Sequence, residues 1–283
     1  MVTNSGKYNA VIAGTGSSVP RGTLTNDDLE KIVETSDEWI STRTGIKVRH
    51  ICEDDETTAT LATEAAKRAI NDAGIDVLDI DLIMVATITP EMVFPSTACF
   101  VQNQIGASNA WAFDISAACS GFVYALNVGH QFLATGKYKN ILVIGAETLS
   151  KITDYEDRNS CVLFGDGAGA AILKRSEDKS AGILYGCSSS DGSGWTSLNC
   201  VAYGSRNPAS KPLENPKDVF MNINGREVYQ LAVRRIVEMV YDCLENCDMA
   251  IDDIDMFIPH QMNARIIESV AKRIKLKHEN VFI

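Results

Sequence analysis

Several absences bound this sequence before anything in it is read for function. None of its eight cysteines falls in a Cys-x-x-Cys pair, and its four histidines join no Cys/His cluster with zinc-ligand spacing. A metal site is therefore not expected. The opening MVTNSGKYNAVIAG has neither a basic start nor the apolar run of a secretory signal. Unpaired thiols without an export signal suit a reducing compartment, so the expected location is the cytoplasm. Positive charge is in short supply: 26 Lys and Arg face 37 Asp and Glu, a formal net charge of −11. That excludes a general nucleic-acid or membrane-surface binder, either of which needs a positive surface. Charge of either sign nearly vanishes between Met92 and Gly136, where Asp114 stands alone and average composition would place about ten charged residues. The stretch is broken by Ser, Asn, Gln, Gly and Pro and holds no clean span of about 20 apolar residues. It reads as core or subunit interface rather than membrane.

What is present is an ordinary globular composition of 283 residues, 45% apolar and 22% charged. Short apolar runs alternate with helical periodicity, the pattern of an α/β protein. Strands are expected at Asn9–Ala13, Leu82–Ala86, Trp111–Ile115, Ile141–Gly145, Gly169–Leu173, Ile183–Cys187, Met256–Ile258 and Val281–Ile283. Helices are expected at Asn26–Val33, Asp37–Thr44, Thr58–Ala73, Ser96–Ile105, Ser120–Thr135, Val228–Cys247 and Ala264–Ile274. The Ser-, Gly- and Asn-rich segment from Ser188 to Asn224 carries three of the seven prolines and is expected to be irregular. A weak internal repeat relates Asp79-Ile-Asp-Leu-Ile-Met-Val85 to Asp253-Ile-Asp-Met-Phe-Ile-Pro259. Each copy follows a long amphipathic helix and precedes a helix and a strand. This predicts two similar halves, residues 1–177 and 178–283. In the first half a further stretch, Ser116 to Lys174, follows the strand ending at Ile115; in the second nothing follows the strand ending at Ile283.

A few residues could carry chemistry. Cys119, in Ser116-Ala-Ala-Cys-Ser-Gly-Phe122, sits between a strand and a helix, where the positive end of the helix dipole would lower a thiol pKa and favour the nucleophilic thiolate. A buried structural cysteine is the plain alternative. His260, in Ile258-Pro-His-Gln-Met-Asn-Ala264, also stands where a strand ends and a helix begins, so the repeat puts it at the same sheet edge as Cys119. Ligands collect at that edge in doubly wound sheets, and a thiol with an imidazole is a nucleophile with an acid/base. Trp39 and Arg43 are spaced i,i+4 behind a Thr35/Glu38 capping-box pattern and face one way. An indole beside a guanidinium suits a planar base and its phosphates; a packed Trp beside a paired Arg is the alternative. Two glycine patterns do not support NAD or ATP binding. Gly14-Thr-Gly16-Ser-Ser-Val19 lacks the third glycine of the dinucleotide fingerprint, and Gly165-Asp-Gly167-Ala-Gly169 precedes a strand rather than a helix. From Ala264 to His278 the local balance turns positive, with Arg265, Lys272, Arg273, Lys275 and Lys277 against Glu268. That face could receive an acidic partner.

Five motifs taken together resemble β-ketoacyl-acyl carrier protein synthase III, a thiolase-fold condensing enzyme family. They are Thr35-Ser-Asp-Glu-Trp-Ile-Ser-Thr-Arg-Thr-Gly-Ile46, Phe94-Pro-Ser96, Ala117-Ala-Cys-Ser-Gly-Phe122, Phe164-Gly-Asp-Gly-Ala-Gly-Ala-Ala171 and Pro259-His-Gln-Met-Asn-Ala-Arg265. The resemblance implies a thiolase-like fold of two pseudo-duplicated αβαβα halves, the second truncated. It implies an acyltransferase that condenses acyl-CoA, with acetyl-CoA expected, with malonyl-acyl carrier protein and initiates fatty-acid biosynthesis. Cys119 resembles the acyl-accepting nucleophile and His260 one of two enolate donors. Trp39 and Arg158 resemble the pair around the CoA adenine, with Thr35, Arg43 and Asn263 nearby. Phe94 resembles the residue reaching a partner subunit's acyl pocket, which implies a homodimer. Gln261, Met262, Asn263, Ala264 and Arg265 match the carrier-docking region. No cofactor is implied, CoA being a substrate, and neither nucleic acid nor membrane is an expected partner.

Two departures accompany the resemblance. Gln230 stands where relatives often carry a basic docking residue. The Gly-Asn-Thr-Ser motif that holds the second enolate donor does not follow Ile283, and neither does the later glycine-rich loop. The expectation is thus of an incomplete copy that condenses poorly, which a condensation rate similar to that of a chain extended through the motif would refute. Competing readings are a hydroxymethylglutaryl-CoA synthase-like condensing enzyme and a non-catalytic acyl-CoA-binding fragment.

Overall fold

A computed structural model describes residues 6–283; the first five residues of the segment read for a leader lie outside them. The strands are β1 (Asn9–Ser18), β2 (Gly22–Thr25), β3 (Val48–Ile51), β4 (Leu82–Ala86), β5 (Trp111–Ile115), β6 (Asn140–Thr148), β7 (Asp166–Ser176), β8 (Leu198–Asn199) and β9 (Asn222–Ile223). The helices are α1 (Asn26–Leu29), α2 (Asp37–Thr44), α3 (Thr58–Ala73), α4 (Thr97–Ile105), α5 (Gly121–Ala134), α6 (Arg158–Cys161), α7 (Gly225–Cys247) and α8 (Ala264–Ile274). The chain separates into two compact units. One holds residues up to 22, 50–148 and 166–188; the other holds 23–49, 149–165 and 189–283. The halves of the repeat follow chain order instead, so they divide the chain differently.

The first unit is built on a five-stranded sheet of order β1-β7-β6-β4-β5. β4 runs parallel to both β5 and β6, while β7 is antiparallel to β6 and β1. Every residue of β4 is buried, as an apolar run inside a parallel sheet must be when both faces are covered. Alternation then divides its side chains. Ile83 and Val85 join the alanine-rich face of α3, while Leu82 and Met84 join Ala125 and Leu133 of α5. The result is helix, sheet and helix in three layers, and the α/β expectation is met.

Helix boundaries follow local chemistry. Thr57 caps α3 through a reciprocal bond with Thr60, and Gly74 ends it in the left-handed region at φ 61°. Asp114, alone in the charge-poor stretch, places its two carboxylate oxygens 2.7 and 2.8 Å from the Thr97 and Ala98 amides at the start of α4. The capping serine before that helix, whose hydroxyl donates to the Cys99 sulfur, makes no capping bond to a helix amide, so the carboxylate meets the positive helix end instead. Gly14 and Gly16 lie within β1 rather than after it. A Cβ on either would stand 2.3 Å from backbone atoms of α3, so these glycines serve close helix–sheet packing.

The second unit carries α1, α2, α6, α7 and α8. α8 is sharply two-sided: Ile266, Ile267, Val270, Ala271 and Ile274 are buried, and Ile266, Val270 and Ile274 pack with Val233 and Val237 of α7. The repeat is visible in local backbone. A helix, a left-handed cap, a 3-10 turn and an extended residue follow one another at Gly74, Val77–Asp79 and Ile83, and again at Asp248, Ile251–Asp253 and Phe257. Strands expected at Met256–Ile258 and Val281–Ile283 are shorter than predicted, reduced to a single parallel bridge between Phe257 and Val281. No strand forms at Ile183–Cys187. Ile183 donates one backbone bond, 2.8 Å, to Ala10, and one contact does not make a ladder. The segment from Ser188 to Asn224 is largely irregular, with only two-residue strands. Among the described residues no helix is long and apolar enough to cross a membrane.

The glycine packing is testable. Gly16→Val should cost about 3 kcal/mol or more in urea-induced unfolding. Gly169→Ala, where a Cβ meets nothing within 4 Å, should stay within about 0.5 kcal/mol. Equal effects of the two would contradict the close-approach account.

Candidate active site

Cys119 occupies a short 3-10 turn, Ala118–Ser120, between the end of β5 and the first residue of α5. The residue is exposed, with Ala118 before it in the left-handed region at φ 46°. That backbone is costly for any residue bearing a Cβ. The sequence expectation of a lowered thiol pKa is corrected here. Cys119 precedes the α5 N-cap, Ser120, and stands outside the helix proper. Surrounding protein pushes its pKa above the usual thiol value, against its own backbone hydrogen bond, and the Glu147 carboxylate adds to the rise. The resting group is a thiol.

His260 belongs to the second unit, in the irregular segment between Phe257 and α8. The residue is exposed, but desolvation by the surrounding protein pushes its pKa below the ordinary imidazole value, so near pH 7 the ring is neutral, with one N–H to donate. Behind it Gln261 donates to the carbonyls of Pro259 and Phe282 at 3.0 and 3.1 Å, which fixes the turn. Met262 packs on the α7–α8 core. Asn263 caps α8 by accepting from the Arg265 amide. Arg265 reaches α2 and donates from Nε to the Thr42 carbonyl at 3.2 Å. Ala264 faces Gly45, where φ is 78° and a Cβ would stand 3.1 Å from the Ala264 methyl. The basic side chains of Lys272, Arg273, Lys275 and Lys277 are exposed, and none forms an ion pair among the described residues.

Trp39, Arg43 and Arg158 lie together within the second unit. The guanidinium carbons of Arg43 and Arg158 stand 4.5 and 4.7 Å from the indole ring. Trp39 is half-buried against the small core of Leu29, Ile40, Cys161 and Val162. Ser36 caps α2 at the Trp39 amide. A polar hub that sequence reasoning missed holds the helix. Asn26 donates to Asp37 at 2.6 Å and accepts from buried Arg49, which also donates to the Val162 carbonyl. Arg158 donates to the Glu34 carbonyl at 2.8 Å. Next to it opens a cavity of about 480 Å³ lined by Ile32, Val33, Glu34, Glu156 and Arg158. Thr35, adjacent in sequence, has a buried hydroxyl with no hydrogen-bond partner. Phe94 is 81% exposed, beside Met92 and Val93. Among the described residues no three His, Cys, Asp or Glu side chains converge as a metal site.

Comparison with known proteins decides the family. A profile described as 3-oxoacyl-[acyl-carrier-protein (ACP)] synthase III matches residues 113–192, and its C-terminal counterpart matches 244–283. A β-ketoacyl-[acyl-carrier-protein] synthase III of Caldanaerobacter subterraneus is 54% identical over 279 residues, covering 98% of this chain and 83% of the relative. The chain belongs to the β-ketoacyl-acyl carrier protein synthase III family. A synthase III from Natranaerobius thermophilus is 50% identical over 277 residues, 97% of this chain and 84% of the relative. The crystal structure of the Aquifex aeolicus synthase III superposes with a TM-score of 0.82 at 46% identity, covering 96% of this chain and 83% of that one. The Thermus thermophilus synthase III gives 0.85 at 38% identity, with the same coverage. The thiolase-like α/β fold expected from sequence is that of these synthase III structures, and the family is one of acyltransferase-type condensing enzymes.

The state of the imidazole can be measured. In NMR titration of histidine-labelled protein, the resonance lost in His260→Gln should titrate below 6.5. A midpoint above 7 would leave the ring mostly cationic near neutral pH and would contradict a neutral donor.

Proposed function

We propose that this chain takes an acyl group from acyl-CoA onto Cys119 and passes it to malonyl-acyl carrier protein in a decarboxylative condensation. The observation that carries the reading is the exposed Cys119 turn at the β5–α5 junction, in a chain about half identical to named synthase III proteins. The thiol gives up its proton as its sulfur attacks the thioester carbonyl. The carbonyl re-forms, the bond to the CoA sulfur breaks, and CoA departs as a thiol. The malonyl group then loses carbon dioxide, and the electron pair of the broken bond becomes a thioester enolate. Its carbon attacks the acyl-Cys119 carbonyl and expels the Cys119 sulfur, giving the 3-oxoacyl carrier protein. His260 is assigned to the enolate oxygen. Its depressed pKa supports this role, since a neutral imidazole donates its one N–H to the developing oxyanion as a hydrogen bond and, being a weak acid, keeps that proton.

For CoA we assign Thr35, Trp39, Arg43, Arg158 and Asn263, supported by the cation–π cluster, the unpartnered Thr35 hydroxyl and the adjoining cavity. For the carrier protein we assign Gln261–Arg265 and the exposed cations that follow, whose charge suits an acidic partner. Homodimer formation is supported by two features of the first unit. β5 is an edge strand whose Trp111 is 44% exposed, and Met92, Val93 and Phe94 form an exposed apolar run; Phe94 is assigned to the partner's acyl pocket. The proposed location is the cytoplasm, and no cofactor is assigned.

Labelled acetyl-CoA tests the reading. The chain should acquire one acetyl group, absent in Cys119→Ala, and Trp39→Ala should raise the acetyl-CoA concentration needed by about 10-fold. Labelling that survives Cys119→Ala would remove the nucleophile assignment. Binding of acetyl-CoA with no transfer would favour a non-catalytic acyl-CoA binder.

A further inference from the structure

Glu147 was not singled out by any sequence pattern, yet it is a carboxylate near the centre of the first unit's sheet edge. It lies near the end of β6, one strand from the end of β4, and is surrounded enough that burial raises its pKa. Its two oxygens accept from the Ile88 amide at 2.8 Å, the Thr89 amide at 3.1 Å, the Thr89 hydroxyl at 2.5 Å and the Thr87 hydroxyl at 3.3 Å. Four donors and no acceptor suit an ionised carboxylate. The same three-residue segment is held from other sides. The Thr148 amide donates to the Thr89 hydroxyl at 2.8 Å, and the Thr58 hydroxyl to the Thr89 carbonyl at 2.6 Å. Residues 87–89 thus form a fixed shelf at the end of β4.

The Cys119 turn is anchored at one end to that shelf and at the other to Ala86, the β4 residue that leads into it. Before it, the Thr87 amide donates to the carbonyl of Ile115, the last residue of β5, at 3.1 Å. After it, Gly121 opens α5 directly against Ala86, where a Cβ would stand 2.9 Å from the Ala86 methyl. Between these anchors Ala118 keeps its left-handed backbone, and a strained residue persists only where its surroundings over-determine it. We infer that Glu147 is a positioning residue for acyl transfer, clamping the β4 end on which the Cys119 turn is seated. The inference rests on Cys119 being the nucleophile, but the shelf itself can be tested without any turnover.

The experiment combines hydrogen exchange, peptide-resolved iodoacetamide alkylation and acetyl-CoA labelling on the whole chain and its Glu147→Gln and Thr89→Val variants. Exchange in residues 116–121 should rise at least ~10-fold in Glu147→Gln, the equivalent of losing one hydrogen bond to a charged group, and should also rise in Thr89→Val. Acetyl transfer to Cys119 should slow by ~10-fold or more in both. The pH midpoint of Cys119 alkylation should fall in Glu147→Gln, because a neighbouring negative charge is gone, and stay in place in Thr89→Val, which keeps it. A thiol more easily ionised yet slower to acylate is not produced by general loosening. Unchanged exchange at 116–121 in Glu147→Gln overturns the inference whether or not the parent chain acylates. So does an unchanged rate of acetyl transfer in a parent that acylates. If Glu147→Gln fails to fold, Thr89→Val decides the exchange test alone. A parent that alkylates at Cys119 but takes no acetyl group counts against the proposed function and leaves the exchange result to decide the clamp.

Discussion

The constraint on which the first unit depends is that β4 has no solvent-facing side. Its five residues are all buried, so each face must be covered by a helix and each edge by a strand. Parallel neighbours meet the second demand and force crossover connections; α3 and α5 meet the first. Once β4 is enclosed, its carboxyl end is where the backbone regains polar partners, and threonines with one glutamate gather there. The same end carries the β5–α5 junction, so the enclosure of an apolar strand sets where a reactive thiol can be presented.

The second unit uses a different economy of contacts. Its helices are held by few large apolar residues and by buried polar hubs. Asn26 and Arg49 connect the start of α1, the start of α2 and the Val162 carbonyl through hydrogen bonds of 2.5–3.0 Å. Such hubs are costly when half satisfied and specific when complete. They hold Trp39 in place beside the Arg43 and Arg158 guanidinium groups. Arg265 extends the arrangement to α8 through the Thr42 carbonyl, so the helix assigned to CoA and the helix assigned to the carrier protein share a direct bond.

Much of this was legible in sequence because it is periodic or local. α2, α3, α8, β4 and β5 fall on the predicted residues, since capping serines and threonines, left-handed glycines and unbroken apolar runs fix them without reference to distant parts. The repeat was legible for the same reason, its spacing being kept from Gly74 to Ile83 and again from Asp248 to Phe257. Ile183–Cys187 misled because apolar character shows burial on one side but not whether a neighbouring strand offers a ladder. The thiol pKa misled because its sign depends on how far the surrounding fold desolvates Cys119 and, less, on Glu147, far away in sequence. Glu147, Arg49 and Asn26 were invisible on their own: each matters through partners brought together by the fold.

The closeness of Trp39 and Arg158 has a consequence for recognition. A planar base stacked between them needs about 3.5 Å on each side, roughly 7 Å in all, whereas the guanidinium carbon now stands 4.7 Å from the ring. On the CoA assignment proposed above, the guanidinium itself fills the place a base would take. Arg158, anchored at the Glu34 carbonyl, would then have to swing aside before a base could enter, and the apparent affinity would be the intrinsic one scaled by the fraction of molecules in which it has done so.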